Sequence, residues 1–179
     1  MYPVPRLLWQ LRRARALPSL PLLGTHESRH ICWPWDLDVF GELNNGRTLT
    51  LYDLGRIPWF GRIGLDRMLR REGWQVAVVG ASVRWRRRVH VMERLRMRTR
   101  ALGWDERFLY SEQSLWKADG ECASHILIRA AVSDRNGIVP SARVLAALGH
   151  EGPSPELPAW VRAWVEAEGQ RPWPPTGGD

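Results

Sequence analysis

Three carboxylates, two asparagines and two glycines crowd into one short stretch, Asp36-x-Asp38-x-x-Gly41-Glu42-x-Asn44-Asn45-Gly46-Arg47. A carboxylate in such a place can attack an acyl carbon directly, giving a mixed anhydride, or act as base on a water. The residues from Gly46 onward read as a helix. Its first N–H groups lack partners inside the helix, and its positive dipole end suits a developing oxyanion. The N–H groups of Asn45, Gly46 and Arg47 stand at that start, and Gly46 lets a carbonyl approach the backbone closely. Asn44 and Asn45 divide between capping this helix and orienting substrate or water. Asp36 reads as a hydrogen-bonded turn residue. Glu42 reads equally well as a second acid–base group and as a polar residue at a pocket rim. The Arg47 side chain reads as a solvated helix residue ahead of the alternative, a part of the pocket. Farther along, Asp53 and Arg56 are spaced for a structural ion pair, with Asp53 kept in view because its helix would face a dimer partner.

Arginines form the second group. Of 26 basic residues 25 are arginine, and the net charge is +7. The Arg94, Arg96, Arg98, Arg100 series alternates with Leu95, Met97 and Thr99, which puts four arginines on one face of a strand. Three readings compete for them and for the Arg86-Arg87-Arg88 corner. The first is a solvated outer face paired with acids such as Glu112. The second, for the Arg86-Arg87-Arg88 corner, is a grip on the 3′-phosphate or pyrophosphate of coenzyme A. The third is a nucleic-acid surface, which is not expected, since the aromatics are not interleaved as a stacking platform. Cys32 and Cys122 belong to no CxxC pair, and the scattered histidines complete no tetrahedral zinc set, so no metal and no cofactor are expected.

The elements that must position these residues follow from length and periodicity. A chain of 179 residues, 44% hydrophobic and 25% charged, suits one domain with a sizeable core. No apolar run spans a bilayer and no signal peptide is evident, so a cytoplasmic protein is expected. Residues 1–24 form a basic arm broken by prolines. It suits a strap packed on the domain or its dimer partner better than a helix lying on a membrane surface. Residues 25–150 form the main domain, and 151–179 a C-terminal helix with a loose tail. His26 to Trp35 reads as a strand, Gly46 to about Phe60 as a helix contacted on more than one side, and Leu65 to Arg71 as a short helix. Period-two patterns then mark strands at about 75–86, 89–102, 106–117 and 121–133, antiparallel because their connections are short. Ser141 is expected to cap one late helix, and Ser154-Pro155 to open another. One helix wrapped by a strongly curved antiparallel sheet of about five strands is an α+β architecture.

That element order, with the D-x-D-x-x-G turn ahead of Asn44-Asn45, resembles the hotdog-fold thioesterase superfamily, within it the 4-hydroxybenzoyl-CoA thioesterase-like branch. Val83-Arg-Trp-Arg-Arg-Arg88 and Asp134-Arg-Asn-Gly137 fit the sheet half, and the likeness runs from about His26 to Gly149. The resemblance implies a hydrolase of acyl-CoA-type thioesters, working as a homodimer or homotetramer. It implies Asp38 as nucleophile or general base, with the thioester carbonyl at the helix start. Glu42 stands where the branch usually has His. The alternative is a non-catalytic acyl- or CoA-binding module using the same pocket.

Overall fold

The computed structural model describes residues 2–172 and Pro174. The chain runs α1 (Val4–Arg15), β1 (His26–Ile31), a 3₁₀ turn (Pro34–Asp36), α2 (Asn45–Arg62) and α3 (Leu65–Glu72). Four long strands follow: β2 (Gln75–Trp85), β3 (Arg94–Trp104), β4 (Leu109–Trp116) and β5 (Cys122–Asp134). The short β6 (Gly137–Ile138), α4 (Ser141–Ala147) and α5 (Ala159–Gln170) complete it. The sheet order is β1-β3-β4-β5-β2, all antiparallel, with β6 paired to the end of β5. Irregularities at Val78/Gly80, Ala101/Gly103 and Leu115/Trp116 interrupt the ladders. Such bulges increase local twist and let the sheet curl.

The sheet curls around α2. Leu51, Tyr52 and Leu54 are buried in one cluster with Leu95, Met97, Leu115, Ile126 and Ile128. Gly55 lies so close to β3 that a Cβ there would overlap the Met97 sulfur. The absence of a single apolar stripe on this helix thus reflects contact on several sides. α1 packs against α2 and runs along the free edge of β1. Its Arg6 Nη2 donates to the Ile31 carbonyl at 3.0 Å, and its Gln10 Nε2 to the Arg29 carbonyl at 2.7 Å. These bonds satisfy acceptors that an edge strand otherwise leaves to water. The proline-broken segment then straps the far end of α2, where Leu20 N–H meets the Arg62 carbonyl at 2.8 Å. α5 covers part of the sheet's outer face, its Val161 buried against Leu102, Tyr110 and Leu127.

Several details differ from the sequence expectations. β1 ends at Ile31 rather than Trp35, because Pro34 cannot donate to a ladder and Trp33–Asp36 closes a tight turn with Asp36 N–H on the Trp33 carbonyl. β3 starts at Arg94 rather than residue 89, because Met92, at φ 61, takes the chain out of extended geometry. Ser141 does not cap α4: the cap position is Pro140, and the Ser141 hydroxyl is buried without a partner among the described residues. α5 starts at Ala159 rather than Pro155. Ser154 instead accepts the Trp104 N–H at 2.8 Å, tying the proline-rich approach to the end of β3. Most of the tail beyond Arg171 lies outside the described residues.

Candidate active site

The turn before α2 is built by its own side chains. Asp38 Oδ1 accepts the Phe40 N–H at 2.8 Å and the Glu42 N–H at 3.4 Å, while Asp38 N–H bonds the Glu42 carbonyl at 2.9 Å. Gly41, at φ +76, supplies the left-handed corner. The result is a carboxylate anchored through one oxygen; Oδ2 has no hydrogen-bond partner among the described residues. Asp36, by contrast, is buried, at 2% exposure, and takes both of its side-chain bonds through Oδ2. It meets Arg6 at 2.7 Å and the Trp33 N–H at 3.1 Å, and its carbonyl accepts the Asn44 N–H at 2.9 Å. It fixes where α2 begins.

Asn44 is the N-cap. Its Oδ1 accepts the Gly46 N–H at 2.8 Å and the Arg47 N–H at 3.2 Å. Of the three backbone donors anticipated for an oxyanion, two are therefore held by this side chain, and the Asn45 N–H at the helix start has no partner among the described residues. Glu42 lies in a backbone bridge with His90, and its carboxylate faces Arg88 at 3.3 Å. Of the arginine corner, Arg87 pairs with Glu121 at 2.7 Å, so Arg86 alone of the three has no acidic partner among the described residues. On β3, Arg94 to Arg100 are exposed and alternate with buried Leu95, Met97 and Thr99, and Arg100 meets Glu112 at 2.6 Å.

A second locus lies deeper. An apolar cavity of about 340 Å³ separates the latter half of α2 from the sheet, walled by Trp59, Phe60, Val76, Trp104, Leu109 and Ile128. Asp53 is the single carboxylate on its wall among the described residues. The Asp53–Arg56 ion pair is formed, and Arg56 Nη1 also donates to Gln113 Oε1 at 3.1 Å. Gln113 is fully buried. Its Nε2 reaches the Tyr52 carbonyl at 2.9 Å and Thr99 Oγ1 at 3.0 Å. Burial lowers the Arg56 pKa, and Asp53 opposes the shift. Gln113 went unnoticed in the sequence. Its one signal is a polar residue at an inward-facing position of β4, between Ser111 and Leu115.

A curved antiparallel sheet closed around one long helix, entered by a carboxylate-bearing turn, defines the hotdog class. Residues 32–165 match the thioesterase-like superfamily, and the chain belongs to it. The match reaches into α5. The chain is 30% identical over 155 residues to Protein THEM6 of Xenopus laevis, covering 86% of this chain and 74% of that one. It is 28% identical over 141 residues to Protein THEM6 of Drosophila melanogaster, covering 76% and 70%. Among solved structures, a 1,4-dihydroxy-2-naphthoyl-CoA thioesterase from Synechocystis superposes with TM-score 0.60 at 12% identity, covering 70% of this chain and 95% of that one. A DHNA-CoA thioesterase from Staphylococcus aureus gives 0.59 at 13%, covering 81% and 91%.

Proposed function

We propose that the protein hydrolyses an acyl-CoA-type thioester to a carboxylic acid and free thiol, with Asp38 as nucleophile or general base. The observation that carries this reading is the Asp38 carboxylate, anchored by two backbone N–H groups through one oxygen and open at the other. Beside it, the unpaired Asn45 N–H and the positive end of α2 suit the oxyanion. As a direct nucleophile, the free Asp38 oxygen attacks the thioester carbon and thiolate departs. Water then opens the mixed anhydride, and the thiolate takes up a proton. As a base, Asp38 takes the proton of the attacking water. Glu42, whose carboxylate faces Arg88, is the second acid–base candidate of the same turn.

One observation favours a second placement of the same chemistry: Asp53 is the single carboxylate facing the apolar cavity. A panel of acyl-CoA thioesters, run on wild type, Asp38→Asn, Glu42→Gln and Asp53→Asn, separates the two. The expected result is turnover by wild type and a loss of about 10²-fold or more in kcat for Asp38→Asn. The larger loss in Asp53→Asn moves the reaction to the cavity. Tight binding without turnover by wild type leaves a non-catalytic acyl-CoA-binding module.

A further inference from the structure

The arginines of the outer sheet face fall into two sets. Arg98 faces Glu27 at 3.3 Å and Arg100 faces Glu112 at 2.6 Å. Arg94 and Arg96, earlier on the same strand, have no ion pair among the described residues, and neither do Arg29 of β1 and Arg13 of α1. Arg29 and Arg96 are moreover direct cross-strand partners in the β1–β3 ladder. Like charges placed opposite one another destabilise a sheet unless something neutralises them.

These four arginines line one groove of about 840 Å³, bounded by α1, the β1–β3 ladder and the β4–β5 turn. Its wall contains no aspartate or glutamate. Its two other cations are already engaged, Arg6 with Asp36 at 2.7 Å and Lys117 with Glu93 at 3.3 Å. Trp9, 58% exposed, and Trp33 form its aromatic part, and Trp33 is itself stacked on Trp35 with ring centroids 5.2 Å apart. Trp9, Arg13 and Arg29 all precede residue 32, where the family match begins. α1, which precedes the matched residues, thus supplies one wall of the groove, and the sheet of the shared fold supplies the rest.

We propose that this groove binds a phosphorylated nucleotide, specifically the adenosine 3′-phosphate 5′-diphosphate end of the acyl-CoA. Guanidinium forks pair with phosphate oxygens in bidentate fashion. Indole faces stack on a base. Arg29 and Arg96, whose mutual repulsion the ligand relieves, hold phosphate, with Arg13 and Arg94 flanking them. Arg6 joins the groove wall to Asp36, two residues before Asp38 in the chain. The identity of the ligand rests on the thioesterase reading; the phosphate site itself rests only on the groove.

Calorimetry with adenosine 3′,5′-bisphosphate, which carries no thioester, tests the site directly. Wild type is expected to bind it, and Arg29→Ala/Arg96→Ala to bind at least tenfold more weakly with no loss of thermal stability. In turnover, the same double variant is expected to lose at least tenfold in its preference for an acyl-CoA over the matching acyl-N-acetylcysteamine thioester. Failure of wild type to bind the bisphosphate, or equal binding by the variant, overturns the proposal. So does loss of binding in Arg86→Ala/Arg87→Ala instead, which puts phosphate on the β2–β3 corner. Binding to vesicles of anionic phospholipid but not to the bisphosphate also overturns it and assigns the groove to lipid headgroups. If no thioester is cleaved, the hydrolytic reading fails while the calorimetry still decides the groove.

Discussion

Asn44 separates structural from catalytic demands on the turn. As N-cap it satisfies two of the first N–H groups of α2, and aspartate caps equally well. A negative charge there also suits the helix dipole, so Asn44→Asp is expected to keep the melting temperature. The same charge repels an oxyanion forming at the neighbouring Asn45 N–H. We therefore expect kcat to fall by at least about tenfold, equivalent to about 1.4 kcal/mol of transition-state stabilisation. Unchanged kcat together with unchanged melting would remove the carbonyl from the helix start. At this scale the sequence was informative where chemistry and local geometry coincide. Asp38, the capping asparagine and the Asp53–Arg56 pair all act within a few residues of themselves. It was silent about Gln113, which meets Arg56 and Tyr52 of α2 and Thr99 of β3 across the core. It was equally silent about Arg6, whose partner Asp36 lies on the far side of a strap.

β1 carries two inward histidines, and their burial gives this element a pH dependence. Burial, then the Arg62 charge, lowers the His26 pKa to about 4; burial, then Arg6 and His26, lowers that of His30 to about 3. Arg62 donates to His26 Nδ1 at 3.0 Å, a bond that requires a neutral ring nitrogen. In the unfolded chain both rings take a proton near pH 6.5. Below that pH the unfolded state binds more protons, so stability present at neutral pH is lost as pH falls from 6.5 towards the folded values. Each histidine contributes a loss of about 1.4 kcal/mol per pH unit in that window. Urea unfolding at about pH 7 and pH 5 checks this, and an unchanged midpoint contradicts it. The strands themselves were legible because period-two burial repeats over many residues, as in β3. Their ends were not, because Pro34 and the positive φ of Met92 act through the chain's path rather than through hydropathy.

The two edges of the sheet are treated differently, and that asymmetry carries a prediction about assembly. β1 bears charged Glu27 and Arg29, and α1 occupies its free carbonyls. β2, at the other edge, is an 11-residue strand with no charge from Gln75 to Val83. Val78 and Val79 are 47% and 44% exposed on it. A long, bare, uncharged edge is a template for pairing with another strand unless the native assembly covers it. A second copy about a two-fold axis supplies an identical β2, so every contact is made twice. Stacking of sheets through their outer faces is a poorer route to larger assemblies, since α5 already covers part of that face. We expect a solution mass of about twice the 20.6 kDa of one chain by light scattering. Lysines at the exposed, cavity-free positions Val79 and Ala81 place like charges across such a seam, and Val79→Lys/Ala81→Lys is expected to run as a monomer. A wild-type monomer, or a dimer that survives both lysines, would rule out pairing through β2.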